Sequence, residues 1–149
     1  MVAESLKETD KTVTLAFTGR AGLAYLERKL GPRETLLLEA LPALDGPDGG
    51  KNGLALRFDG GPAVLRRMGT VFADPAMLEG LRSAAAGENI PLQAAYRRED
   101  ALAETAASFG SAVAAVALPT RNMGMSELAR EEELDRVSRL VSAFIARAD

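Results

Sequence analysis

The sequence predicts an α/β fold, a three-layer α/β/α sandwich around a mixed, mostly parallel sheet. Three observations carry this expectation. Short apolar or β-branched runs alternate with segments of helical periodicity, the pattern of layered α/β domains. Two runs, 34–41 and 111–118, are apolar almost throughout, as strands covered on both faces are. The stretch 54–68 doubles back through Asp59-Gly60-Gly61-Pro62, which adds an antiparallel pairing. With 149 residues, 47% of them hydrophobic, the chain fits one domain over 1–149.

In order along the chain, 12–18 (TVTLAFT) is rich in β-branched residues and reads as a strand, and 19–30 places Leu23, Leu26 and Leu30 at helical spacing. Gly31-Pro32 stops that helix, and 34–41 is expected to be a central strand. The Gly, Pro, Asp and Asn content of 42–53 makes it a loop. Strands over 54–58 (LALRF) and 63–68 follow, joined by the turn at 59–62 and placed near a sheet edge. Asp74 and Pro75 start a helix that ends near Gly87, with Met77, Leu78 and Leu81 facing inward. A short strand at 91–96, an Ala-rich helix at 100–109 and a buried strand at 111–118 come next, and Pro119 is expected to end the pairing. The last segment begins with Glu131 to Glu133 and carries Leu134, Val137, Leu140, Val141, Phe144 and Ile145 on one face, the pattern of an amphipathic helix.

The chain contains no His and no Cys. Zinc sites use imidazole and thiolate as well as carboxylate, so only oxygen ligands remain. A Ser–His or Cys–His nucleophile is excluded outright. A net charge of −3 argues against a nucleic-acid surface, although basic pairs occur at Arg66-Arg67 and Arg97-Arg98. No apolar run approaches the ~20 residues that span a bilayer, and the first residues lack a basic segment followed by an apolar one. A cytoplasmic protein without membrane or nucleic-acid partners is expected.

Three local strings bear on family. Leu118-Pro119-Thr120-Arg121 follows a buried strand and precedes the last helix; Gly60-Gly61-Pro62-Ala63-Val64 leads into a short strand; Glu99-Asp100-Ala101 lies upstream of Pro119. In these strings and in the order of its elements from Lys11 onward, the chain resembles the catalytic domain of the tetrahedral-shell aminopeptidases, a di-metal family that includes glutamyl and deblocking aminopeptidases and proteins once called endoglucanases. The resemblance implies a zinc-exopeptidase-like fold. It covers only the C-terminal part of a family member, so the chain is expected to be a truncated aminopeptidase-like domain. The earlier metal-binding His, the bridging Asp and the inserted dimerisation domain of the family are accordingly expected to be missing.

Position by position, the resemblance implies loss of the chemistry. Where the family has two successive glutamates after its first strand, this chain has Gly19 and Arg20. The general base is thereby lost, and Arg20 puts positive charge where a dication would sit. The family's next ligand, an Asp, falls at Glu39, and its His after Pro-Thr-Arg falls near Gly124, beside Met123. No catalytic residue, metal ligand set or cofactor is therefore expected.

Glu39, Asp100 and Arg121 remain as candidate ligand-binding residues at the old site. Each also has a structural role available. Glu39 is expected to pair with Arg20, and Arg121 to tie the Pro119 loop to local carbonyls or to Glu99 or Asp100. Asp45, Asp48 and Asn52 resemble a calcium loop without its regular spacing, and Met123 and Met125 form either an apolar contact or filler for the vacated site.

The leading expectation is a catalytically inactive aminopeptidase-like domain that self-associates, acts as a scaffold or binds a partner or ligand. Its partner would be a second copy, making a homo-oligomer, or a full-length paralogous peptidase, because a truncated sheet exposes edge and apolar surface. The alternatives are residual metal-dependent aminopeptidase activity, or sensing of an amino acid or small peptide whose carboxylate Arg20 and Arg121 attract.

Overall fold

The computed structural model describes residues 12–45, 56–122, 124 and 126–147. Five strands and four helices are found there: α1 (Arg20–Leu30), β1 (Glu34–Pro42), β2 (Ala63–Met68), β3 (Val71–Phe72), α2 (Pro75–Gly87), β4 (Gln93–Arg97), α3 (Ala101–Ser108), β5 (Ala112–Thr120) and α4 (Glu131–Arg147). The strands form one mixed sheet. β1 runs parallel to β5, β5 antiparallel to β2, and β2 parallel to β4, while β3 pairs antiparallel with the end of β2.

Helices cover both faces, because strand residues alternate between them. On one face Leu23 of α1 and Ala103 and Ala106 of α3 pack on Leu37, Leu41, Leu65, Val113, Ala115 and Ala117. On the other, Met77, Leu81 and Ala84 of α2 and Leu140 and Phe144 of α4 pack on Val64, Ala114 and Val116. This is the three-layer α/β/α arrangement expected. The helix starts follow the capping residues: Asp74 Oδ1 accepts from the amides of Ala76 and Met77, and Asp100 Oδ1 from those of Leu102 and Ala103.

Several expectations require correction. Residues 12–19 form no strand; Val13, Leu15 and Phe17 are exposed, Phe17 by 95%. β1 is at the edge of the described sheet instead of its centre, and Leu38 is accordingly 46% exposed. Conversely β2, expected near an edge, lies inside the sheet with partners on both flanks. Residues 54 and 55 lie outside the described residues, and 56–58 are not a strand. Two of their amides are satisfied by side chains: Arg57 N–H donates to Gln93 Oε1 and Phe58 N–H to Asp45 Oδ2.

Pro119 does not end the pairing of β5, since it lies opposite Leu41 and Thr120 opposite Pro42. Proline is tolerated there because β2 pairs with β5 only at Val116 and Ala117, so at Pro119 one flank of β5 carries no β2 ladder. Among the described residues no helix is long and apolar enough to cross a membrane.

Candidate functional site

Glu39 lies on the α1/α3 face of β1, two residues from both Leu37 and Leu41 of that core. Its register partner Ala117 and the next strand's Ala63 carry only methyl groups, leaving room for long side chains to meet above them. Arg97, at the end of β4, fills that room. Its Nη1 donates to Glu39 Oε2 and lies 3.9 Å from Asp100 Oδ2. The Glu39 and Asp100 side chains are 6% and 2% exposed, whereas Arg97 reaches solvent.

One oxygen of each carboxyl group, Glu39 Oε1 and Asp100 Oδ2, is buried without a hydrogen-bond partner. Protonation of Glu39 relieves this. Burial, then the hydrogen bond and the repulsion from Asp100, push Glu39 up to about 7 from an ordinary 4.5, against the opposing pull of Arg97. The cluster thus favours the protonated form of Glu39 beside Asp100, with Arg97 as the guanidinium in contact.

Arg121 belongs to a separate cluster. Its Nη2 lies 3.2 Å from Asp45 Oδ1, its guanidinium sits 4.6 Å from the centre of the Phe58 ring, and its backbone pairs with Leu128. Asp45 is held below the usual carboxylate range, first by the Phe58 amide and then by Arg121. The planar arginine fork here pins two loops to the end of β5. Gly124 follows in the left-handed region, at φ +82°, where an added Cβ would meet nothing within 4 Å.

The structure brings Glu39 and Asp100 together and assigns Arg121 elsewhere. The expected Glu39–Arg20 pair is replaced by Glu39–Arg97, since Arg20 is exposed in the first turn of α1 and, among the described residues, pairs with no carboxylate. The expected tie of Arg121 to Glu99 or Asp100 is replaced by Asp45. Gly19 caps α1 with its backbone alone, and open space surrounds the position of its missing side chain. Asp48, Asn52, Met123 and Met125 lie outside the described residues.

Sequence reasoning missed two polar features of the core. Arg97 was visible only as half of a basic pair. Glu27, 2% exposed, accepts from Thr35 Oγ1 at 2.7 Å and Ser111 Oγ at 2.6 Å and so joins α1 to β1 and to the start of β5. No spacing rule pairs residues 84 positions apart in sequence.

These donors do not fit the two metal ions that the resemblance implies. Among the described residues no three His, Cys, Asp or Glu side chains converge. Where two carboxyl groups do meet, Glu39 and Asp100, an arginine is already bound to one of them.

Comparison with known proteins places this architecture. The sequence matches the family model for M42 glutamyl aminopeptidase over residues 2–140. No curated protein matches it significantly. Among solved structures, an aminopeptidase from Desulfurococcus kamchatkensis is 27% identical with a TM-score of 0.79, covering 87% of this chain and 38% of its own. A TET aminopeptidase from a marine-sediment thaumarchaeon is 22% identical with a TM-score of 0.77, covering 88% of this chain and 38% of its own. The Pyrococcus horikoshii TET1 peptidase, described as assembling into a tetrahedron or a large octahedral shell, is 14% identical with a TM-score of 0.64 and covers 87% and 38%. The chain thus spans less than two fifths of the length of these structures. With its sheet, its flanking helices and a sequence match over nearly its whole length, the chain belongs to the M42 glutamyl aminopeptidase family.

Proposed function

We propose that this chain is an aminopeptidase-like domain without hydrolytic activity that works by association, with further copies of itself or with a full-length paralogous peptidase. The observation that carries the reading is the Glu39 cluster. The carboxyl group where the resemblance puts a metal ligand is buried, bound by Arg97 and set beside Asp100, in a chain without His or Cys. A metal-bound water would need both ligands and a base there, and the two positions where the resemblance puts carboxylates are Gly19 and Arg20. Association is supported by apolar surface, including Phe17, Phe72 and Tyr96, all more than 60% exposed. It is supported also by the assemblies described for the TET1 peptidase. The cysteine-free sequence suits work in a reducing cytoplasm.

Two measurements on the purified chain test the reading. Hydrolysis of amino-acid anilides in the presence of zinc, cobalt or manganese is expected not to exceed the metal-only blank, and light scattering is expected to return a mass above 15.7 kDa. Turnover that disappears in Glu39→Gln would overturn the first half of the proposal, and a monomer at every concentration the second.

A further inference from the structure

Sheet register assembles a surface that the sequence shows only as scattered residues. Arg67 of β2 lies opposite Phe72 of β3 on one side and Tyr96 of β4 on the other. Residues in register point to the same face, so the three side chains form a row across three strands. A bulge at Arg66 shifts the register between Leu65 and Arg67 and turns Arg67 out, while Leu65 and Met68 both stay buried in the α1/α3 core. Phe72 and Tyr96 are 74% and 66% exposed, and the Arg67 guanidinium lies 5.8 Å from the centre of the Phe72 ring. Arg66 and Arg98, also exposed, add two charges. Exposed aromatics beside arginine are the composition of interface centres.

The same chain carries a complementary ridge. Glu131, Leu134 and Asp135 share one face at the start of α4, and Leu128 precedes them. Leu128 and Leu134 are 54% and 49% exposed. The ridge thus offers acid and leucine where the row offers arginine and aromatic rings. Its place in the fold sets the symmetry. α4 starts just beyond the C-terminal end of β5, whereas the row lies where β2 and β4 end, beside the N-terminal end of the antiparallel β5.

We propose that the Arg67–Phe72–Tyr96 row docks the Leu128–Glu131–Leu134–Asp135 ridge of a second copy of this chain, head to tail. The inference rests on the self-association proposed above and names the surfaces that make it. Because row and ridge lie at opposite ends of the sheet, each copy keeps one free surface of each kind, so association continues to a ring or an extended chain.

The test uses the full chain and two variants, Arg67→Glu and the double variant Glu131→Lys/Asp135→Lys, both at exposed positions and each checked for an unchanged melting curve. Sedimentation velocity is expected to show each variant weakened in association by about tenfold or more. Their mixture is expected to regain association, because the intact row of one variant meets the intact ridge of the other and the two charge-reversed surfaces complement each other as well. High salt is expected to weaken the wild-type assembly. If the wild type associates and both variants associate equally well, the row and ridge are not the interface, and self-association stands through another surface. If the variants dissociate but their mixture stays monomeric, the pairing is wrong. A wild type that is monomeric throughout overturns this inference and self-association together, and Arg67-dependent binding of that monomer to single-stranded RNA would reassign the row to a polyanion.

Discussion

A buried carboxyl group keeps its charge only when a cation or enough donors compensate for lost water. Glu39 has one cation, Arg97, and faces a second carboxyl group, Asp100, so the protonated form gains in the folded chain. The folded state holds this proton up to about pH 7, while the unfolded chain releases it near 4.5. Its contribution to stability is therefore complete below 4.5 and is lost as pH rises through about 7. Glu39→Gln keeps a neutral group with a donor for Asp100 and an acceptor for Arg97. It should flatten that fall and stabilise the chain above about pH 7 by on the order of 1–3 kcal/mol, the lower end applying because Arg97 admits solvent. Thermal melting across that window checks it, and an unchanged slope would show that Glu39 does not take up a proton on folding. Asp45 acts in the opposite sense. Its lowered pKa gives stability present at neutral pH and lost as pH falls below the usual Asp range, so Asp45→Asn should remove part of the acid sensitivity.

Helix starts and the Gly61 turn illustrate local chemistry serving long-range packing. Asp74 accepts from two amides of α2, and Asp74→Ala should cost about 1 kcal/mol in chemical denaturation. The cap matters beyond α2 because the Asp74 amide also donates to Val113 of β5 and fixes the crossing from β3 to the helix layer. Gly61 has φ +89°, and a Cβ there would lie 2.1 Å from the Pro91 carbonyl oxygen, which is backbone and cannot swing aside. Gly61→Ala should therefore destabilise by about 2 kcal/mol or more, combining left-handed strain with displacement of the loop before β4. Stability unchanged in that variant would mean that the β2 and β4 starts are not packed as described.

For the molecule as a whole, what covers the sheet matters more than what composes it. β1, β3 and β4 each have a single partner strand in the described sheet, and such edges recruit partners unless they are blunted. Phe17→Ser should leave the melting temperature of the chain nearly unchanged, within about 0.5 kcal/mol, since its ring is almost fully exposed. A larger loss would show that the 12–18 segment pairs with a sheet, its own or a neighbour's. The head-to-tail surfaces lie elsewhere, so this variant and Arg67→Glu report on different contacts.

The sequence by itself determined the fold class, the four helices and the alternation of strands with helices that implies a layered mixed sheet, because periodicity, capping residues and turn chemistry are local. It also determined the loss of imidazole and thiolate chemistry, since a residue type that is absent cannot be supplied by folding. Only the tertiary structure decided that Arg97 and not Arg20 meets Glu39, that Arg121 binds Asp45, and that Glu27 takes hydroxyls from two distant segments. Strand order decided the rest: a buried run such as LLLEAL looks the same at the centre of a sheet and at an edge covered by helices. Side-chain pairs across a sheet depend on register and crossover, and those are set by the packing of the whole core.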